Sequence, residues 1–128
     1  NLVQRGRLDV PVIGVARDGN LDALRERMRG SLEASGELDP AAHAKLCANL
    51  RVVAGDYTDA GTFARLRETL GAARRPLHYL AIPPSLFPTV VTSLARAGGA
   101  AGARVIVEKP LGRDLASART LNHALGRV

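Results

Sequence analysis

Little in this sequence is aromatic, oxidisable or long and apolar, and each shortage removes a class of function. Of 128 residues, two are Tyr, two are Phe and none is Trp, so a ring platform for stacking nucleic-acid bases is poorly supplied. A single cysteine, Cys47, excludes an internal disulfide and is compatible with a reducing compartment. No apolar run approaches the roughly 20 residues that a membrane-spanning helix needs. The stretch Asn1 to Asp9 lacks the apolar core and small-residue cleavage site of a secretory signal. A cytoplasmic location without membrane partners is expected. No glycine-rich phosphate loop of dinucleotide or mononucleotide type is present either.

What is present has the make-up of an ordinary soluble domain: 46% apolar and 23% charged residues, in a length that supports one hydrophobic core. The net charge of +6 invites a nucleic-acid reading. The cations are spread along the chain, however, and the densest group, Arg25, Arg27 and Arg29, is mixed with Glu26, Glu33 and Glu37 as on a solvated helical face. No nucleic-acid partner is expected. Sixteen of the eighteen cations are Arg, against Lys45 and Lys109, a ratio that reflects compositional habit rather than function.

Four apolar runs have β character: Val10 to Ala16, Arg51 to Ala54, Leu77 to Ile82, and Arg104 to Val107. Each is nearly continuous, as for strands buried on both faces of a parallel sheet. Helical spacing separates them. Leu21, Leu24, Met28 and Leu32 mark one helix, and Asp39 with Pro40 starts another. Phe63, Leu66 and Leu70 mark a helix closed by Gly71; Val90, Val91, Leu94 and Ala97 mark one ending at Gly98 and Gly99. A last helix is expected after Asp114, carrying Leu115, Ala118, Leu121 and Leu125. Asn1 to Gly6 read as a helix tail stopped by Gly6. Alternating strands and helices predict an α/β domain with a doubly wound parallel sheet.

Open α/β sheets bind ligands beyond the carboxyl ends of their strands, so four chain positions are candidates. Arg17 closes the first strand. In a dinucleotide fold, an arginine closing the second strand suits the 2′-phosphate of NADP, where an acid would suit the hydroxyl of NAD. An exposed strand-end arginine is the plain alternative. Asp56 and Tyr57 follow the next strand, where an acid capping the following helix is the plain reading, with Thr58 and Asp59 competing for that cap. Pro83 and Pro84 follow the third, either letting a flat ligand approach a donor-free backbone or merely stiffening a turn. Lys109, fixed by Pro110 and close to Gly112, ends the fourth as a stiffly placed cation. His43 and Cys47 share a helix face at i, i+4 without further metal ligands in sequence, so no metal is expected. His78 and His123 have no evident acid partner. Ser85 lacks the elbow motif of a hydrolase nucleophile.

Taken together, these strand ends resemble the glucose-6-phosphate dehydrogenase family. The resemblance rests on Ile13-Gly14-Val15-Ala16-Arg17, on Gly55-Asp56-Tyr57 with Phe63, on Tyr79-Leu80-Ala81-Ile82-Pro83-Pro84-Ser85-Leu86-Phe87, and on Val107-Glu108-Lys109-Pro110-Leu111-Gly112-Arg113-Asp114-Leu115. In order and spacing it covers nearly the whole chain. It implies a Rossmann-like doubly wound parallel sheet lacking its first strand in this chain. Residues 1–128 would then be a partial NADP-binding domain, with the substrate and dimerisation domain absent. It also implies oxidation of glucose 6-phosphate to the lactone with NADP as hydride acceptor, in an enzyme that is a homo-oligomer at full length. Arg17 would contact the NADP 2′-phosphate, Asp56 and Tyr57 would lie near the cofactor, and Lys109 would reach both sugar phosphate and nicotinamide. The family's pyrophosphate loop, Gly-x-x-Gly-Asp-Leu, and its His-Tyr-Leu-Gly-Lys base segment are not in these residues, so no catalytic residue is assigned and the chain alone is expected to be inactive. Two alternatives remain at this point: an inositol-dehydrogenase-like Rossmann oxidoreductase, which would have shorter loops than Leu21 to Leu50, and a non-catalytic nucleotide-binding fragment.

Overall fold

The structure, a computed structural model, describes residues 1–108. The expectations for Lys109, for the helix after Asp114 and for His123 lie outside the described residues. The chain divides into two compact units, Asn1–Gly55 and Asp56–Val128.

In the first unit the order is β1 (Val12–Ala16), α1 (Leu21–Ser35), α2 (Pro40–Asn49) and β2 (Leu50–Ala54). The two strands pair in parallel, from Val12 opposite Leu50 to Ala16 opposite Ala54. β1 begins later than its apolar run because Pro11 has no N–H to give a ladder, and Val10 before it stays 56% exposed. Asn20 caps α1 by accepting from the Ala23 N–H at 3.0 Å, and Gly36 ends it in the left-handed region at φ 70°. Asp39 caps α2 as its spacing predicts, accepting from the N–H groups of Ala41 and Ala42 at 3.0 and 3.2 Å, with Pro40 in the first turn. The same carboxylate accepts from the Gln4 side chain at 3.0 Å. Gln4 first, then the backbone donors, hold Asp39 below the usual carboxylate range. Asn1 to Gly6 form a hydrogen-bonded turn and no assigned helix, since so short a segment cannot offset its nucleation cost. Leu50 and Val53, each 4% exposed, form the buried part of this unit, and neither α1 nor α2 contains a buried residue.

The second unit runs α3 (Ala60–Leu70), β3 (Leu77–Leu80), a single 3₁₀ turn over Pro84–Leu86, α4 (Phe87–Arg96) and β4 (Arg104–Val107). Asp59 caps α3, accepting from the Gly61 N–H at 2.9 Å, so of the competing residues it takes that role. Gly71 closes the helix. β3 and β4 are parallel, with Leu77 opposite Arg104 and Leu80 opposite Val107. β3 therefore stops before Ile82, where its partner strand has ended. Thr62, Phe63 and Leu66 of α3, Leu80 of β3, and Phe87, Val90, Val91 and Leu94 of α4 are buried, with Ala100 beside them. His78 donates through Nε2 to the Gly99 carbonyl at 2.8 Å, which commits that ring to structure.

The expectation that every strand is buried on both faces fails for β1, which has no buried residue, and for β3 and β4. Leu77, Tyr79 and Ile106 are 57%, 53% and 44% exposed, while Leu80, next in alternation, is buried. A run can be apolar throughout and still have only one face covered, because burial depends on what packs there and not on composition. Among the described residues the strands form two two-stranded parallel sheets, β1–β2 and β3–β4.

Candidate functional site

The carboxyl ends of β1 and β2 lie at one edge of the first sheet because the strands are parallel and in register up to Ala16 and Ala54. Arg17 and Asp18 form the turn leaving β1, and Arg17 is exposed. Its position is set from both sides. Before it, β1 is held in the ladder, and the Gly55 N–H donates to the Ala16 carbonyl at 3.0 Å. After it, Gly19 lies so close to β2 that an added Cβ would stand 2.7 Å from both Cα and Cβ of Ala54. Asn20 then starts α1. Arg17 thus carries its planar, bidentate guanidinium on a backbone turn that is held at both ends. Neither Gly19 nor Asn20 drew attention in the sequence. An Asx residue directly before the Leu21, Leu24 period was the available signal for the cap, whereas the close approach of Gly19 has no local signature.

In the second unit, Asp56 and Tyr57 are half-buried in the turn before α3. The Asp56 carboxylate accepts from both the N–H and the hydroxyl of Thr58 at 2.8 Å, an Asx turn rather than the helix cap. Thr62, fully buried, donates its hydroxyl to the Asp56 carbonyl at 2.8 Å. The turn is thus clamped by its own side chain above and by α3 below. Thr62 was not among the sequence candidates, and a threonine three residues after a capping acid carries no distinctive signal.

The carboxyl ends of β3 and β4 border a cleft of about 270 Å³, lined by Leu80, Ile82, Pro83, Pro84, Phe87 and Glu108. Apart from Glu108 its side chains are apolar, and at the two prolines the backbone offers no donors. Glu108 supplies the charge. Pro84 starts the 3₁₀ turn into α4, as the stiffened-turn reading expects, and both prolines also border the cleft. Across the sheet, the Tyr79 hydroxyl donates to Glu108 Oε1. That bond, and the desolvation and negative charge that accompany it, raise the Tyr79 phenol above its ordinary range.

Of the sequence candidates, Arg17 belongs to the first unit, Asp56 and Tyr57 to the second, and Lys109 lies directly after the last described residue, Glu108. His43 and Cys47 do meet on α2, with Nε2 and Sγ 3.6 Å apart. Among the described residues no group of three or more His, Cys, Asp or Glu gathers as metal ligands would, and no helix is long and apolar enough to cross a membrane.

Comparison with known proteins identifies the family. The family model described as glucose-6-phosphate dehydrogenase, NAD binding domain, matches residues 1–128. Glucose-6-phosphate 1-dehydrogenase 1 of Mycobacterium tuberculosis is 42% identical over 122 residues, covering 94% of this chain and 26% of that protein. Glucose-6-phosphate 1-dehydrogenase 5, cytoplasmic, of Arabidopsis thaliana is 33% identical over 151 residues, covering all of this chain and 29% of that protein. The crystal structure of glucose-6-phosphate 1-dehydrogenase from Mycobacterium avium superimposes with a TM-score of 0.90 at 46% identity, over 99% of this chain and 28% of that one. A glucose-6-phosphate dehydrogenase in complex with its substrate glucose-6-phosphate gives 0.81 at 31% identity, over 98% and 29%. The chain spans little more than a quarter of the length of the relatives it matches. With parallel strands, intervening helices and a family match along its whole length, the chain belongs to the glucose-6-phosphate dehydrogenase family, as its Rossmann-type nucleotide-binding domain.

Proposed function

We propose that an enzyme carrying this chain oxidises glucose 6-phosphate at C1 to 6-phosphogluconolactone with NADP as hydride acceptor, in the oxidative pentose phosphate pathway. The observation that carries this is the family match over residues 1–128. The strand-end residues agree with it. Two helices, α1 and α2, stand between β1 and β2, which speaks against the shorter-looped inositol-dehydrogenase reading.

In this proposal residues 1–128 are a partial NADP-binding Rossmann domain, and the substrate and dimerisation domain lies elsewhere in a homo-oligomeric, cytoplasmic enzyme. A nicotinamide dinucleotide, when bound, supplies the acceptor for the hydride that leaves C1. Arg17 pairs with the 2′-phosphate, for which its exposure and its fixed turn suit it. Asp56 and Tyr57 border the cofactor from a clamped turn. Lys109 binds the sugar phosphate and approaches the nicotinamide. As the C1–H bond breaks, the C1 hydroxyl proton passes to a base and a carbonyl forms. We assign that base to none of this chain's histidines, and His78 already donates to Gly99.

The test is reduction of NADP by the full-length enzyme, followed by absorbance, with glucose 6-phosphate and with other sugar phosphates. Turnover with glucose 6-phosphate is expected. Its absence overturns the assignment, and a strong preference for NAD overturns the choice of cofactor alone.

A further inference from the structure

We propose that Thr62 is a positioning residue for cofactor binding: its hydroxyl fixes the Asp56–Tyr57 turn beyond β2 in the conformation that the dinucleotide meets. This rests on the dehydrogenase reading above, in which Asp56 and Tyr57 border the cofactor, and deepens it. The β1–β2 ladder ends at the pair Ala16 and Ala54, and the Gly55 N–H carries the restraint one residue further by donating to the Ala16 carbonyl at 3.0 Å. Asp56 comes next. Its carbonyl accepts from the Thr62 hydroxyl at 2.8 Å and from the Asp59 N–H at 3.2 Å. Its carboxylate accepts from the N–H and the hydroxyl of Thr58, both at 2.8 Å.

The bonds from Thr58 and Asp59 are local and shape the turn. Thr62 differs: it stands six residues beyond Asp56, inside α3, and so ties the turn to the body of the helix. It is 0% exposed, and further protein packed around it can only keep it so. Away from water such a bond is stronger than at the surface. A valine would fill the same space with the same branching, so what threonine adds is the hydroxyl. That hydroxyl also accepts from Arg65 Nη2, at a longer 3.4 Å; its short, well-formed bond goes to the turn. Because α/β sheets place ligands beyond the carboxyl ends of their strands, loosening this turn is felt in affinity for the dinucleotide before it is felt in the chemistry.

The experiment compares the full-length enzyme with Thr62→Val, Thr62→Ser and Thr62→Ala, by titration with NADP, by steady-state kinetics and by amide exchange of the unliganded enzyme. Thr62→Val is expected to raise the Kd for NADP about three- to tenfold, the range for one neutral hydrogen bond, and to leave kcat at saturating substrates within about twofold of the parent's. Faster exchange at the Thr58 and Asp59 amides, which donate to Asp56, is expected with it. Thr62→Ser keeps the hydroxyl and is expected to retain the parental Kd and exchange. Thr62→Ala removes the hydroxyl without adding bulk; it is expected to weaken NADP as valine does, and it carries the test if the valine variant fails to fold. Parental affinity without the hydroxyl overturns the proposal. So does an equal loss in Thr62→Ser, which assigns the residue to packing, or a fall in kcat or thermal stability with the Kd for NADP unchanged. Titration and exchange need no turnover, so a parent that binds NADP without oxidising glucose 6-phosphate overturns the dehydrogenase reading alone, whereas a parent that binds no dinucleotide overturns both.

Discussion

Gly19 offers the sharpest test of how the Arg17 turn is built. A methyl group at this position would meet Cα and Cβ of Ala54 at 2.7 Å and its backbone nitrogen at 2.8 Å, against an ordinary carbon–carbon separation of about 3.5–4.0 Å. Roughly 1 Å must be found, and the obstacle is the main chain of β2, not the end of a flexible side chain. Overpacking of this kind costs about 1–3 kcal/mol. Gly30 is the matched control: it lies in α1, is exposed, and has nothing within 4 Å of an added Cβ. Alanine there removes a flexible residue from a helix interior and adds about 0.5–1 kcal/mol of stability. Amide exchange of β1 and β2 in the full-length enzyme reads both. Gly19→Ala is expected to speed exchange about five- to a hundredfold, since about 1.4 kcal/mol is tenfold in an opening equilibrium, while Gly30→Ala leaves it unchanged or slows it. Protection in Gly19→Ala equal to the parent's would show that the turn does not rest against β2 as described.

Arg17→Ala is expected to weaken NADP about ten- to a hundredfold while changing NAD far less, because only NADP carries the phosphate; equal losses in a binding titration refute the pairing. Lys109→Ala is expected to depress turnover or raise the KM for glucose 6-phosphate, and unchanged kinetics remove it from the site. Asp39 makes a pH prediction. Its folded-state pKa is lowered, by Gln4 first and then by the α2 backbone donors, so the stabilisation is complete above the ordinary aspartate value of about 3.9 and is lost as pH falls through the lower folded value. Asp39→Asn keeps an acceptor for the cap but removes the titrating group. The protection of the α2 amides, taken relative to the intrinsic exchange rate at each pH, should therefore no longer fall across that window, and a persistent fall would assign it elsewhere.

Local signals made most of the elements legible. Asp39 followed by Pro40, and Gly71 after Leu70, mark helix ends through bonds made within a few residues, and the structure uses them so. The capping of α3 was narrowed to neighbouring residues and then assigned to Asp59, because Asp56 turns its carboxylate back onto Thr58. The candidate site was legible as strand ends, since parallel α/β order alone sends ligands there. Its supporting contacts were not. Gly19 against Ala54, Thr62 beneath Asp56 and Tyr79 on Glu108 each join residues whose meeting depends on how the chain returns.

By itself, then, the sequence determined the alternation of strand and helix over the described residues, the Asp39 cap and the Gly71 stop, and the carboxyl ends of β1, β2 and β4, because periodicity and capping act over one or two turns of chain. Only the tertiary structure decided which faces are covered. Leu77, Tyr79 and Ile106 are as apolar or aromatic as Leu80, yet they are exposed and Leu80 is buried. Composition specifies what a strand can bury, while burial itself depends on the elements packed against it. The same holds for the bond that ties Tyr79 to Glu108, 29 residues apart in the chain and neighbours only because two parallel strands adopt one register.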